Sequence, residues 1–318
     1  MSAYLITMAT GKQALWTINH LLASGAKVHA LVRDPNKAPL PAQLTRAGVT
    51  VFTGDSQDVD AVFRAAQGCK GVFLNTFPIP GLPMKQAQGI LEGCRRAGVE
   101  SIVVTTALCV SNRAMWNDEF TKECDLYDYF SDKAAVEDLV REAVAASNCS
   151  FRAYTVLRPS YIHFDYLLPN VYGNFPELPS AGEIVHACDD GTHIPHTDGN
   201  DLGRYAAAAL QDPTTFNGQE IELGHENLSV DDIRNILTRV SGRAIGLRRR
   251  TPEQVEAAKT TVFGQAFQIW AGAKDLEPVV AEAKAVEARF GIPLTSLEQA
   301  LVRDKAELME CLSVGYKK

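Results

Sequence analysis

The 318-residue chain carries a formal net charge of −7, with 46 % apolar and 22 % charged residues, enough for one sizeable α/β domain with a second lobe or for two small domains. The negative balance leaves no basic footprint for a nucleic-acid groove, and no apolar run reaches membrane-spanning length. Met1 leads straight into a β-rich run without a charged leader, and seven scattered cysteines without a C-x-x-C pair read as reduced thiols, so the expected location is the cytoplasm, with the nucleus open as a second.

Along the chain, short β-rich runs lie at 3–7, 27–32, 49–54, 71–76, 101–106 and 154–159. Helical periodicity fills 13–24, 58–67, 84–97 and 132–146, and Gly25, Gly48, Gly68 and Gly98 stand where left-handed caps are wanted. Apolar strands separated by amphipathic helices predict an α/β fold with a doubly wound parallel sheet of Rossmann type. Residues 1–160 are expected to form the nucleotide-binding domain, its sheet completed by later segments near 183–224. Residues 161–318 are expected to form a smaller, mostly helical C-terminal lobe.

After Pro159, residues 160–182 read as loop, rich in aromatics, Pro, Gly and Asn. Two short strands around Asp190-Gly191 read as a hairpin. A helix capped by Asp201 runs to Pro213, "GQEIELG" is a strand, and Ser229 caps a further helix. Residues 252–285 and 295–313 read as helical, separated by Gly291-Ile292-Pro293.

The stretch "TMATGKQA" (7–14) follows the first strand, where an open α/β sheet carries phosphates on the first β–α turn. In G-x-x-G-x-x-G spacing the three slots hold Met8, Gly11 and Ala14. If the first slot needs positive φ, Met8 strains the turn by about 1 kcal/mol. Thr10, Gly11, Lys12 and Gln13 are the expected phosphate cradle. Arg33 ends the second strand where an acidic residue would favour an unphosphorylated ribose. With Lys12, and Lys37 nearby, it points to NADP(H). Asp55 and Ser56, then Asn75, Thr76 and Phe77, stand at strand ends where adenine and ribose would lie. A plain strand–helix turn without ligand is the alternative.

Several stretches, among them "ITMATGKQALWTINHLLASGAKVHALVRDP", "GVTVFTGDSQD", "AGVESIVVTTA", "SDKAAVEDLVR", "YTVLRPSYI" and "DLGRYAAAAL", resemble, in order, the NmrA-like family of atypical short-chain dehydrogenases/reductases. The resemblance spans roughly residues 3 to 240. It implies a dinucleotide site in a family that holds isoflavone-reductase-like enzymes, quinone reductases and co-regulators that bind dinucleotides without turnover. Regulators often replace the first glycine of the turn, as Met8 does here.

Hydride chemistry needs a group that protonates or polarises the acceptor. Tyr129 and Lys133 have the Tyr-x-x-x-Lys spacing of ordinary short-chain reductases, and Lys133 aligns with the family's lysine. A cap at Ser131 or Asp132 would leave Tyr129 outside the helix, and Lys133 could instead pair with Glu137. Thr105 and Thr106 stand in place of the usual serine. Tyr161, His163 and His196 lie in segments expected to line the cleft, and Pro159 joins the cofactor-binding set. The catalytic candidates are therefore Lys133, Tyr129, Thr106 and His163. No Cys/His spacing suits a metal. The reading is an NADP(H)-dependent oxidoreductase acting on a mid-sized aromatic or quinone-like molecule in a cleft lined by 161–175, without direct nucleic-acid or membrane contact. A homodimer or a regulatory protein partner is open. A dinucleotide-sensing regulator and a redox-neutral isomerase or cyclase are the alternatives.

Overall fold

Runs that are apolar on both faces can bury themselves only as inner strands of a sheet covered on both sides, and five of the first six runs do so, while the third, 49–54, takes the sheet edge and is only half-buried. A computed structural model describes residues 1–147 and 149–317. The first compact unit comprises Met1–Ser111, Asp128–Arg158 and Gly199–Ile221. Its elements in chain order are β1 (Ala3–Ile6), α1 (Lys12–Ala23), β2 (Lys27–Val32), β3 (Val49–Thr53), α2 (Val59–Ala66), β4 (Cys69–Leu74), α3 (Leu82–Ala97), β5 (Ser101–Thr105), α4 (Tyr127–Ala145), β6 (Ala153–Arg158) and α5 (Gly199–Gln211), with β7 (Gln219–Glu222) at its end. The sheet order is β7-β6-β5-β4-β1-β2-β3. The pairs β1–β2, β2–β3, β1–β4, β4–β5 and β5–β6 are parallel. The winding direction therefore reverses between β1 and β4, and the carboxyl ends of those two strands flank the crevice where open α/β sheets bind ligands.

Leu5, Ile6, Val28, Val72, Phe73, Leu74, Val104 and Val156 are fully buried in this sheet. The helices come close because small residues face them. A Cβ on Gly203 of α5 would stand 2.6 Å from the Trp16 backbone of α1, and one on Gly93 of α3 would stand 2.6 Å from Val62 of α2. Either clash would push a helix off its neighbour.

The second unit comprises Asn112–Tyr127, Pro159–Asp198 and Glu222–Lys318. It takes a segment from the first 160 residues, while the first unit takes Gly199–Ile221 from beyond them, so a single division at residue 160 does not describe the chain. The strand His193–Thr197 pairs with Tyr161–Ile162 and Glu226–Ser229, and Glu183–His186 pairs with Gly246–Arg249. The expected hairpin around Asp190-Gly191 is thus absent. The turn exists, with Gly191 at φ 79°, but its two flanks pair elsewhere. Of the later segments expected to complete the main sheet, β7 joins it. The helical stretch expected over 252–285 is three helices, Pro252–Ala258, Gly264–Gly272 and Glu277–Phe290. Within the segment read as loop, 160–182, Tyr161–Ile162 is a strand and Glu177–Ala181 a short helix. Asp201 lies inside the first turn of α5, which begins at Gly199, two residues before the expected cap. Ser229 caps its helix as expected, in a reciprocal capping box with Asp232. All seven cysteines are free, and among the described residues no helix is long and apolar enough to cross a membrane.

Candidate cofactor and active site

The β1–α1 turn is tied to the end of β4 by Thr7. Its hydroxyl donates to the Phe73 carbonyl (2.9 Å) and accepts from the Asn75 amide (3.0 Å). Met8 takes the left-handed conformation, φ 51°, that the first glycine slot demands. The Gly11 amide then donates to the Met8 carbonyl at 2.8 Å, and a Cβ on Gly11 would stand 3.1 Å from that same oxygen. Helix α1 opens on Gly11 with no side-chain cap and no acidic residue in its first turn. By contrast, α2 is capped by Asp58, whose carboxylate accepts from the amides of Asp60 and Ala61. The first turn of α1 therefore keeps its donors and positive pole for something other than a carboxylate of its own.

Gln13 is a brace. Its Oε1 accepts from Thr105 Oγ1 (3.1 Å) and Asn75 Nδ2 (3.4 Å), binding α1 to the ends of β4 and β5. Asp55 shapes its own turn, accepting from the amide and side chain of Gln57, and Ser56 is buried beside it. Arg33 is exposed at the end of β2, with no hydrogen bond or ion pair to any described residue. Thr10 is exposed, Lys12 half-buried and Lys37 exposed. The loop after Thr76 is pinned at two points, the Phe77 amide on Gln86 Oε1 and the Gly81 amide on Asp132 Oδ2, both 2.8 Å.

Helix α4 begins at Tyr127, four residues before the expected cap at Ser131. Asp132 does not cap because its carboxylate receives the Gly81 amide instead. Tyr129 therefore lies inside the helix, one turn before Lys133. The Lys133 side chain is 4 % exposed. Its Nζ has Thr76 Oγ1 at 3.4 Å and the Thr76 carbonyl at 3.5 Å, and no ion pair with a carboxylate among the described residues. Burial pushes its pKa down to about 8, against the pull of Asp132 and Glu137. The expected Lys133–Glu137 pair does not form. A buried ammonium with three donors and two long contacts is under-satisfied, and such groups normally have a partner.

Thr106 does not stand as a catalytic hydroxyl. It is buried, and its one proton goes to Glu137 Oε1 at 2.7 Å. In the second unit, His163 is not poised as an acid toward a ligand. Its Nδ1 lies 3.0 Å from Asp198 Oδ1 and its Nε2 lies 2.9 Å from Asp304 Oδ2. His196 lies in a strand, buried, with Nε2 2.8 Å from the Tyr166 hydroxyl, and burial pushes its pKa down to about 4. Tyr161 is buried, with its hydroxyl on Asn174 Oδ1 at 2.7 Å and its ring against Tyr166, Phe175 and Phe267. Pro159 is buried after β6.

The structure thus brings Met8, Gly11, Gln13, Asn75, Thr76, Thr105 and Lys133 around the ends of β1, β4 and β5. Sequence reasoning missed Gln86 and the part played by Asp132, which pin the loop after Thr76. Only Asp132, next to Lys133, carried a local signal.

The NmrA-like family matches residues 2–310. The chain belongs to that family. Among similar proteins, agroclavine dehydrogenase of Claviceps fusiformis is 37 % identical over 107 residues, which is 33 % of this chain and 36 % of that enzyme, so the match spans about a third of its length. Quinone oxidoreductase 2 of Escherichia coli is 26 % identical over 262 residues, 81 % of each chain. The crystal structure of an NADPH-dependent quinone oxidoreductase from E. coli, complexed with NADPH, aligns with a TM-score of 0.71 at 20 % identity, covering 95 % of this chain and 99 % of that one. NmrA itself, a negative transcriptional regulator in complex with NAD, aligns with a TM-score of 0.70 at 19 % identity, covering 96 % of both chains. At these identities the superpositions establish the NmrA-like fold.

Proposed function

We propose that the chain is an NADP(H)-dependent reductase of a mid-sized, flat aromatic or quinone-like molecule. The observation that carries this reading is Lys133, a buried cation whose only hydrogen-bond partners among the described residues are two oxygens of Thr76 at 3.4 and 3.5 Å. When bound, the dinucleotide supplies the hydride. The amides of the first turn of α1, from Gly11 onward, take the pyrophosphate. Arg33, without a hydrogen-bond or ion-pair partner among the described residues, and Lys12 take the 2′-phosphate, each contact charge-assisted. Asp55, Ser56, Asn75 and Pro159 border the adenine and riboses. Lys133 takes ribose hydroxyls and holds a proton at Nζ for the acceptor oxygen, its pKa of about 8 suiting transfer near neutrality. Tyr129, one turn earlier on the same helix, is the second proton-bearing group. The quinone oxidoreductase and dehydrogenase relatives support the reading.

A dinucleotide-binding regulator is the second reading, favoured by Met8 in the glycine slot and by the likeness to NmrA. Fluorescence titration with NADPH, NADH and NADP⁺, followed by NADPH oxidation with quinones, enones and aromatic ketones, decides. Binding with oxidation supports the reductase. Binding without oxidation across the panel moves the chain to the regulators, and no binding overturns both in favour of a cofactor-less isomerase or cyclase.

A further inference from the structure

Lys133, Glu137 and Arg141 follow one another at i, i+4 spacing on α4, so Glu137 has a cation one turn away on either side. It takes only one of them. Its Oε1 accepts from Thr106 Oγ1 (2.7 Å) and Arg158 Nε (3.0 Å), and its Oε2 from Arg158 Nη2 (2.7 Å) and Arg141 Nη2 (2.8 Å). An ionised carboxylate offers about four lone-pair sites, and all four are filled. Arg158, at the end of β6 and 2 % exposed, fills two of them with a bidentate fork. Its Nη2 also meets Glu220 of β7, which Arg141 Nε holds at 2.7 Å.

We propose that Arg158 is a positioning residue for Lys133. By saturating the Glu137 carboxylate on the side of β6, it denies Lys133 its natural counter-ion and leaves the ammonium for an oxygen of the bound cofactor or acceptor. This inference rests on the reading of Lys133 as a ligand-facing group. The charged groups acting on Lys133 are Asp132 and Glu137, both on its own helix, and the facing end of β4 offers only the neutral oxygens of Thr76. Asp132 accepts from the Gly81 amide. Glu137 is therefore the one nearby carboxylate that a single substitution could release toward Lys133. A purely structural role for the Arg158–Glu137 fork, tying β6 to α4, predicts lost stability on its removal and no change in the charge state of Lys133.

The test is a pH titration of protein labelled with ¹³C-lysine, following the Cε resonance of Lys133, assigned by its loss in Lys133→Met. Arg158→Met should move the Lys133 midpoint upward by about one pH unit or more, the effect of a newly available opposite charge. The double variant Arg158→Met/Glu137→Gln should return it to the unmutated midpoint or below. If Arg158→Met does not fold, Arg158→Lys, which keeps the charge and loses the fork, should give a smaller upward shift. An unchanged midpoint in a folded Arg158 variant, or a rise that persists in the double variant, overturns the proposal. The measurement needs no ligand. A shift without NADPH binding would remove the proposed function and leave the positioning intact, whereas binding without a shift would do the reverse.

Discussion

Nδ1 of His163 lies 3.0 Å from Oδ1 of Asp198, with the ring's other nitrogen 2.9 Å from Asp304 and Arg303 bonded to both carboxylates. Burial works against charge on this imidazole, but the hydrogen bonds to Asp198 and Asp304 outweigh it and hold its pKa above the usual value. For Asp198 and Asp304 burial is likewise outweighed by His163 and Arg303, which hold both carboxyls below the usual range.

The sign of the pH dependence follows. A raised histidine pKa contributes stability that is fully present below about pH 6.5 and is lost as pH rises through the folded value. Lowered aspartate values contribute stability present above about pH 4 and lost as pH falls. The cluster is therefore at full strength between about pH 4 and 6.5. Thermal melts across pH 5 to 9 should show the unmutated protein losing more stability on the alkaline side than His163→Gln. Parallel curves would refute the role given to this cluster. Asp198→Ala, which leaves the buried imidazolium and the part-exposed Arg303 guanidinium with Asp304 alone, should cost up to about 3–5 kcal/mol, readable by urea unfolding.

Met8 should be tolerated without loss of cofactor affinity. Phosphates are held by main-chain amides that any residue supplies, and the side chain sits in a turn whose strain is about 1 kcal/mol. Met8→Gly relieves that strain but loosens the unfolded chain. The melting temperature should barely move, and the NADPH dissociation constant should change less than a few-fold. A tenfold or larger change in titration would mean that the methionine side chain itself shapes the site.

Arg33 should set the coenzyme preference. A charge-assisted contact with the 2′-phosphate contributes about 1.5–3 kcal/mol, and a tenfold preference needs about 1.4 kcal/mol. NADPH should bind at least tenfold tighter than NADH, and Arg33→Ala should erase most of the difference while leaving NADH affinity in place. Equal affinities in the unmutated protein would sink the assignment.

Much of the sheet was legible because its strands are apolar throughout and its glycines mark real left-handed turns: Gly25, Gly48, Gly68 and Gly98 all have positive φ. Two kinds of feature were not. The start of α4 was misplaced because Ser131 and Asp132 look like caps locally, while Asp132 is taken by the Gly81 amide 51 positions away. The hairpin at Gly191 failed for the same reason, since a turn signal is local and strand partners are not. In the site, the lysine was visible by spacing. Its unpaired state was not, because the residues that occupy Glu137 include Arg158, 21 positions on, which is anchored by Glu220 on another strand.

The substitution that separates enzyme from regulator is at Lys133. In a reductase its Nζ holds a ribose hydroxyl and a proton, so Lys133→Ala should lower turnover by roughly 10²–10⁴-fold, the range for lost acid–base assistance. The fold should persist, since no ion pair is broken and an under-satisfied buried charge is removed. That gives the test a second readout: Lys133→Ala should lose less stability than a cavity of that size would impose on a satisfied core residue. Tyr129→Phe should act in the same direction because Tyr129 lies inside α4, one turn from Lys133. If the phenol only packs on Phe130, with ring centroids 5.5 Å apart, the loss will stay within a few-fold. In a regulator both variants would lose modest NADPH affinity, and no acceptor in the panel would oxidise NADPH even with the unmutated chain. Turnover with one quinone that Lys133→Ala abolishes, in a variant that still melts cooperatively, would decide for the enzyme.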